Sequence, residues 1–136
     1  MIEGDEKTWE FYTEGQTAAN FDSIANKVPS RQSFVCTELT TVAIINSDKE
    51  NELYKKHPRF ETFCRTGMEQ MMGHHQQQLF KNQSLTPEDR YLDLLNERPD
   101  LVNRVPQYQL ASYMGIKPET LSRIRKRLLE KNLEII

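Results

Sequence analysis

The sequence predicts an α+β chain, and three observations carry that expectation. Strand-forming residues and turn signals crowd the N-terminal third; a helical stripe of roughly six turns follows; two short helices joined through Gly115 close the chain. At 136 residues, with 37% hydrophobic and 28% charged side chains, the chain is long enough for one compact domain or two small ones. A two-lobed enzyme is excluded by length, and wholesale disorder by composition.

From the N-terminus, Met1 to Glu6 is acidic where a secretory signal is basic and then apolar, and no window approaches the ~20 apolar residues of a bilayer span. A cytoplasmic protein is expected. Cys36 and Cys64 are too few for a disulfide framework or a zinc site, so free thiols in a reducing compartment are expected. Trp9, Phe11 and Tyr12 are strand formers, Glu14-Gly15 and Asn26 to Pro29 are turn signals, and Ser33 to Ile45 is rich in Phe, Val, Thr and Ile. Within that run Phe34, Cys36 and Glu38 alternate with Val35, Thr37 and Leu39 before Val42 to Ile45 run together, the pattern of a half-buried strand leading into a buried one. Ser47-Asp48-Lys49-Glu50 caps and opens a short helix through Tyr54.

Pro58 starts the next element. Phe60, Phe63, Gly67 and Met71, then His74 or His75 and Gln78 or Leu79, recur at steps of three and four. Such a helix, ~36 Å long, exceeds what a small domain needs to cover its own core. A second copy of the same helix is the expected partner, with Gly67 permitting close approach and Met68, Met71 and Met72 filling an adaptable seam.

Thr86-Pro87-Glu88-Asp89 is a strong helix start, and the helix it opens carries Tyr91, Leu92, Leu94 and Leu95 before stopping near Arg98-Pro99. Pro106 to Met114 forms another short helix, Gly115-Ile116-Lys117 a tight turn, and Lys117-Pro118-Glu119-Thr120 the start of a last helix. This is the spacing of a helix-turn-helix. Leu121, Ile124, Leu128 and Leu129 are expected to face inward, and Thr120, Ser122, Arg123, Lys126 and Arg127 outward. Charge agrees with that division. From Arg104 onward seven Lys and Arg face three Glu, whereas the chain as a whole has a net charge of -2, so an acidic body carries a basic end. A basic helix of this kind fits the major groove of DNA, where Arg reads guanine edges and Ser or Thr contacts bases or phosphates.

The run from Arg104 to Leu128 resembles the winged helix-turn-helix of the Crp/Fnr family of bacterial transcription regulators, most specifically in Leu110-Ala-Ser-Tyr-Met-Gly-Ile followed by Glu119-Thr-Leu-Ser-Arg-Ile-Arg-Lys. Upstream, Glu14 to Phe34, with Asn20-Phe21-Asp22-Ser23 and Pro29-Ser30-Arg31-Gln32-Ser33, is similar to the second half of the family's cyclic-nucleotide-binding β-roll, and Arg59 to Gln83 to its long dimerisation helix. The resemblance implies a partial antiparallel β-roll over residues 1–58, a dimerisation helix and hinge over 59–85, and a winged helix-turn-helix DNA-binding domain over 86–136. It implies a homodimer through Phe60, Phe63, Gly67 and Met71, with double-stranded DNA and RNA polymerase as partners. DNA-contacting residues would be Gln107, Lys117, Thr120, Ser122, Arg123, Arg125, Lys126 and Arg127; phosphates would fall to Lys117, Arg125 and Lys131, and bases to Ser122, Arg123 and Lys126.

The effector site departs from the family pattern. Where nucleotide-binding members carry an acid for the ribose, this chain has Asn20, and Arg31 stands one position later than the arginine that takes the cyclic phosphate. No cyclic AMP or cyclic GMP binding is expected, and any effector of Asn20 and Arg31 is unknown. A sheet beginning near Trp9 also lacks the strands expected before it. Either a partner subunit covers its open edges or the chain is a fragment of a longer product.

Two cysteines cannot hold an iron-sulfur cluster. His74 and His75 point about 100° apart on a helix and cannot grip one ion, so no metal and no cofactor is expected. Ser47, Asp48, Glu50 and His57 have no nucleophile elbow or oxyanion motif around them, and an enzyme is rejected. The sequence thus points to a DNA-binding regulator. Its alternative is an interaction protein that keeps the fold without binding DNA, a dominant-negative partner of a longer relative.

Overall fold

The computed structural model describes residues 6–134; the acidic start Met1 to Asp5 lies outside the described residues, as do Ile135 and Ile136. Among the described residues seven helices follow in order: α1 (Phe21–Asn26), α2 (Ser47–Lys56), α3 (Pro58–Ser84), α4 (Pro87–Glu97), α5 (Pro99–Arg104), α6 (Gln107–Tyr113) and α7 (Pro118–Glu134). Among the described residues there is no strand. The expected α+β class, the partial antiparallel β-roll over 1–58 and the strands of a wing are therefore corrected to an all-helical class among the described residues.

The physical reason lies in pairing. A strand exists only if a neighbour completes its hydrogen-bond ladder, and propensity alone cannot supply one. Ser33 to Ile45 is neither helix nor strand: Val42, Ile44 and Ile45, the expected buried strand, are 65%, 85% and 56% exposed. Asn20-Phe21-Asp22-Ser23, placed in the roll by resemblance, instead opens α1, because the Asn20 side chain accepts the Ser23 N–H at 3.0 Å and caps the helix.

The described residues divide into two compact units, one joining residues 6–17 to residues 84–134, the other running from Ala18 to Gln83.

In the first unit, α4 to α7 enclose a core in which Leu101, Leu110 and Leu121 are fully buried, with Tyr91, Val102, Ala111, Met114 and Ile124 around them. Each such leucine removed from water contributes about 1.5–3 kcal/mol. The local signals explain the elements. Thr86 Oγ1 accepts the Asp89 N–H at 3.2 Å, and Pro87 follows at the first helical position. Pro99 then restarts the chain as α5, a helix not expected from the sequence. Leu94 and Leu95 pack against the core, while Leu92 is exposed.

A strap from Thr8 to Glu14 completes this unit. Phe11, expected on a strand, is buried in the helical core, its ring edge-on to Tyr113 at 5.3 Å. The Thr8 N–H donates to Ser112 Oγ at 2.9 Å. Arg98 donates to the Phe11 carbonyl at 3.0 Å and to Thr13 Oγ1 at 3.3 Å, and lies 3.7 Å from the Glu10 carboxylate. A largely covered guanidinium needs such partners. Burial, reinforced by the Glu10 charge, raises the Tyr113 phenol above its ordinary value of 10.0.

In the second unit, α2 begins at Ser47 with Asn46 as its cap, and α3 begins at Pro58 as expected. Tyr54, whose hydroxyl donates to Glu50, lies 5.7 Å from the Phe60 ring, which lies 6.5 Å from that of Phe63. Helix α3 has 27 residues, about 40 Å, and none of them is buried. Phe63, Met68, Met72, Leu79 and Phe80 are exposed, and no helix is long and apolar enough to cross a membrane among the described residues.

Candidate nucleic-acid interface

The site is built from α6, its turn and α7. Helix α6 ends in a double C-terminal lock: the Gly115 N–H donates to the Ser112 carbonyl and the Ile116 N–H to that of Ala111, both at 3.0 Å. This geometry requires a left-handed residue at Gly115, where φ is 68°. Ile116 packs on the core and fixes the exit direction. The chain turns at once into α7, where Pro118 occupies the first helical position and the Lys117 carbonyl accepts the Thr120 and Leu121 N–H groups at 3.0 and 3.2 Å.

Helical periodicity then divides α7. Leu121 and Ile124 are buried and Leu128 is half-buried, all on one side. Ser122, Arg123 and Lys126 are exposed on the opposite arc. Leu129, expected inward, is exposed; its position falls about 100° beyond Leu128 and outside the buried arc. Thr120 is half-buried, with the Arg123 guanidinium 3.5 Å from its hydroxyl. Arg125 is half-buried on one flank; Lys117, and Gln107 at the start of α6, are exposed.

Arg127 is exposed, and it also has a partner within the unit. It turns to α4 and donates to Glu88 Oε2 at 2.7 Å, while Lys131 donates to Glu88 Oε1 at 3.0 Å. The hydrogen bond from Lys131, with the nearby charges, lowers the Glu88 carboxyl below its ordinary 4.5. Arg90 ties the same helix to the turn by donating to the Met114 carbonyl at 3.1 Å. Sequence reasoning missed Glu88 as part of the site, having read it only as an acid complementing the first turn of α4. It also left out Glu119, exposed in the first turn of α7 on the same arc as Ser122 and Arg123.

The other candidate residues lie in the second unit. Asn20 spends its side chain locally: its carbonyl caps α1 and its amide donates to Ser30 Oγ at 2.9 Å and Gln32 Oε1 at 3.2 Å. Arg31 is exposed. On α3, Phe60 and Met71 are half-buried and Phe63 and Gly67 exposed; a Cβ added at Gly67 would meet nothing within 4 Å. The His74 and His75 rings stand 6.3 Å apart, and no group of three His, Cys, Asp or Glu able to hold a metal occurs among the described residues. Cys36 is exposed and Cys64 half-buried, and both are free thiols.

No protein-family model, no curated protein and no solved structure matches the chain.

Proposed function

We propose that the chain is a sequence-specific DNA-binding protein that presents α7 to the major groove, in the manner of a Crp/Fnr-type transcription regulator. The observation that carries the reading is the divided face of α7: a buried side anchored by Leu121 and Ile124 holds an opposite side of Ser122, Arg123 and Lys126 in water. A helix rigidly seated on its module by one face, with hydrogen-bonding and cationic groups on the other, suits a groove ~12 Å wide lined by base edges and phosphates. Arg123 would read guanine, Ser122 a base or phosphate, and Glu119 would accept from a cytosine amino group; Lys117, Lys126 and Arg125 would neutralise phosphates. The resemblance of Arg104 to Leu128 to the Crp/Fnr helix-turn-helix supports the same conclusion.

A second copy of the chain is proposed to cover the exposed apolar face of α3. Two modules on a near-palindromic site, with recognition helices about 34 Å apart, bind far more tightly than one. No cyclic-nucleotide role is part of the reading, because Asn20 offers an amide already engaged in capping.

Gel shift against fragmented genomic DNA over a salt series is the test. The reading expects a subset of fragments to be retained at salt concentrations where bulk DNA is released. Uniform retention, or none at low salt, overturns it.

A further inference from the structure

The recognition helix carries two cations whose charge is already spoken for. Glu88, at the second position of α4, gives one carboxylate oxygen to Arg127 at 2.7 Å and the other to Lys131 at 3.0 Å, across 39 and 43 residues of sequence. The carboxylate is largely covered, 19% exposed, whereas Arg127 and Lys131 remain 57% and 59% exposed. Those two cations lie four residues apart on one flank of α7, beside the outer arc formed by Ser122, Arg123 and Lys126.

A carboxylate held by a guanidinium and an ammonium makes the same charge-assisted hydrogen bonds as a phosphate oxygen pair. We infer that Glu88 is an internal substitute for DNA phosphate: it withholds Arg127 and Lys131 from the duplex and thereby limits the electrostatic footprint of the turn and α7 to Lys117, Arg123, Arg125 and Lys126. Glu88 is in this sense a positioning residue, acting on DNA through two other side chains. The consequence is selectivity. Phosphate contacts strengthen binding to every sequence alike, so subtracting two of them leaves base reading a larger share of the affinity.

The inference rests on the DNA-binding reading, and its test separates the two. Fluorescence anisotropy with a labelled mixed-sequence duplex, between about 50 and about 200 mM salt, gives the slope of log affinity against log salt, which changes by about 0.9 for each phosphate neutralised. For Glu88→Gln the slope is expected to steepen by about 1 to 2, with tighter binding to mixed sequence. The further substitution of Arg127→Gln and Lys131→Gln in that background is expected to return it to the wild-type value. In the otherwise native protein, the same two substitutions are expected to flatten the slope by less than about 0.5, a readout that holds even if Glu88→Gln does not fold. A slope unmoved by Glu88→Gln, or flattened by about 2 when Arg127 and Lys131 alone are replaced, overturns the inference while leaving DNA binding intact. Absence of binding by every variant, wild type included, overturns the DNA-binding reading and this inference with it.

Discussion

The guanidinium of Arg104 clasps the carboxylate of Glu14 through two parallel hydrogen bonds of 2.9 and 2.8 Å, joining residues 90 positions apart. Arg104 closes α5 and Glu14 closes the strap, so this fork ties the strap to the helices whose core already holds Phe11. The hydrogen bonds from Arg104 lower the Glu14 carboxyl from 4.5 to about 2. A depressed carboxyl pKa contributes stability above its unfolded value and loses it as pH falls through the folded one. The strap should therefore be held by this contact above pH 4.5 and released progressively between 4.5 and about 2. Titration of the Glu14 carboxyl carbon by NMR is expected to give a midpoint near the lower value, and a midpoint at 4.5 would mean the clasp does not form.

Phe11 is the apolar counterpart of that clasp. Its ring is 9% exposed and edge-on to Tyr113, so Phe11→Ala removes both buried area and an aromatic pair. A loss of about 3 kcal/mol is expected in urea unfolding of the module. A change below about 1 kcal/mol would show that the strap does not seat in the core.

What was legible in the sequence was local. Thr86-Pro87, Pro58, Pro118 and Gly115 each mark a helix boundary through chemistry confined to one turn, and the structure begins α4, α3 and α7 and ends α6 near those residues. The divided face of α7 was legible for the same reason, apart from the exposed Leu129 and the half-buried Thr120. What failed depended on distant partners. The β-rich composition of Ser33 to Ile45 could not reveal that no strand would form among the described residues. Nor could the sequence show that Phe11 would enter a helical core, or that Glu88 would reach Arg127 across 39 residues. Short α1 and α5 escaped because their few residues carry little periodicity.

Gly115 separates backbone from packing as the origin of the turn. A Cβ there would meet nothing within 4 Å, yet φ is 68°, so the cost of Gly115→Ala comes from conformation alone. About 1 kcal/mol of destabilisation is expected from the thermal midpoint. A stabilising substitution would mean that the left-handed turn is not occupied.

On α3, Gly67 stands in open space within one chain, so Gly67→Leu should leave its helix intact. If a second copy packs there, the added bulk separates the two helices. Light scattering is expected to give a dimer at micromolar concentration for the wild type and a monomer for Gly67→Leu and Met71→Glu. A wild-type monomer contradicts the proposed assembly.

Affinity for a retained DNA fragment, compared between the wild type and Arg123→Ala at fixed salt, tests the central claim most directly. Arg123 is exposed on the arc opposite Leu121, so its truncation should leave helix content and the unfolding midpoint unchanged. Binding to the preferred fragment is expected to weaken by about 1 to 3 kcal/mol, while binding to bulk DNA falls much less. Equal affinities of the two proteins for the preferred fragment would contradict the account of α7 as the element that reads DNA.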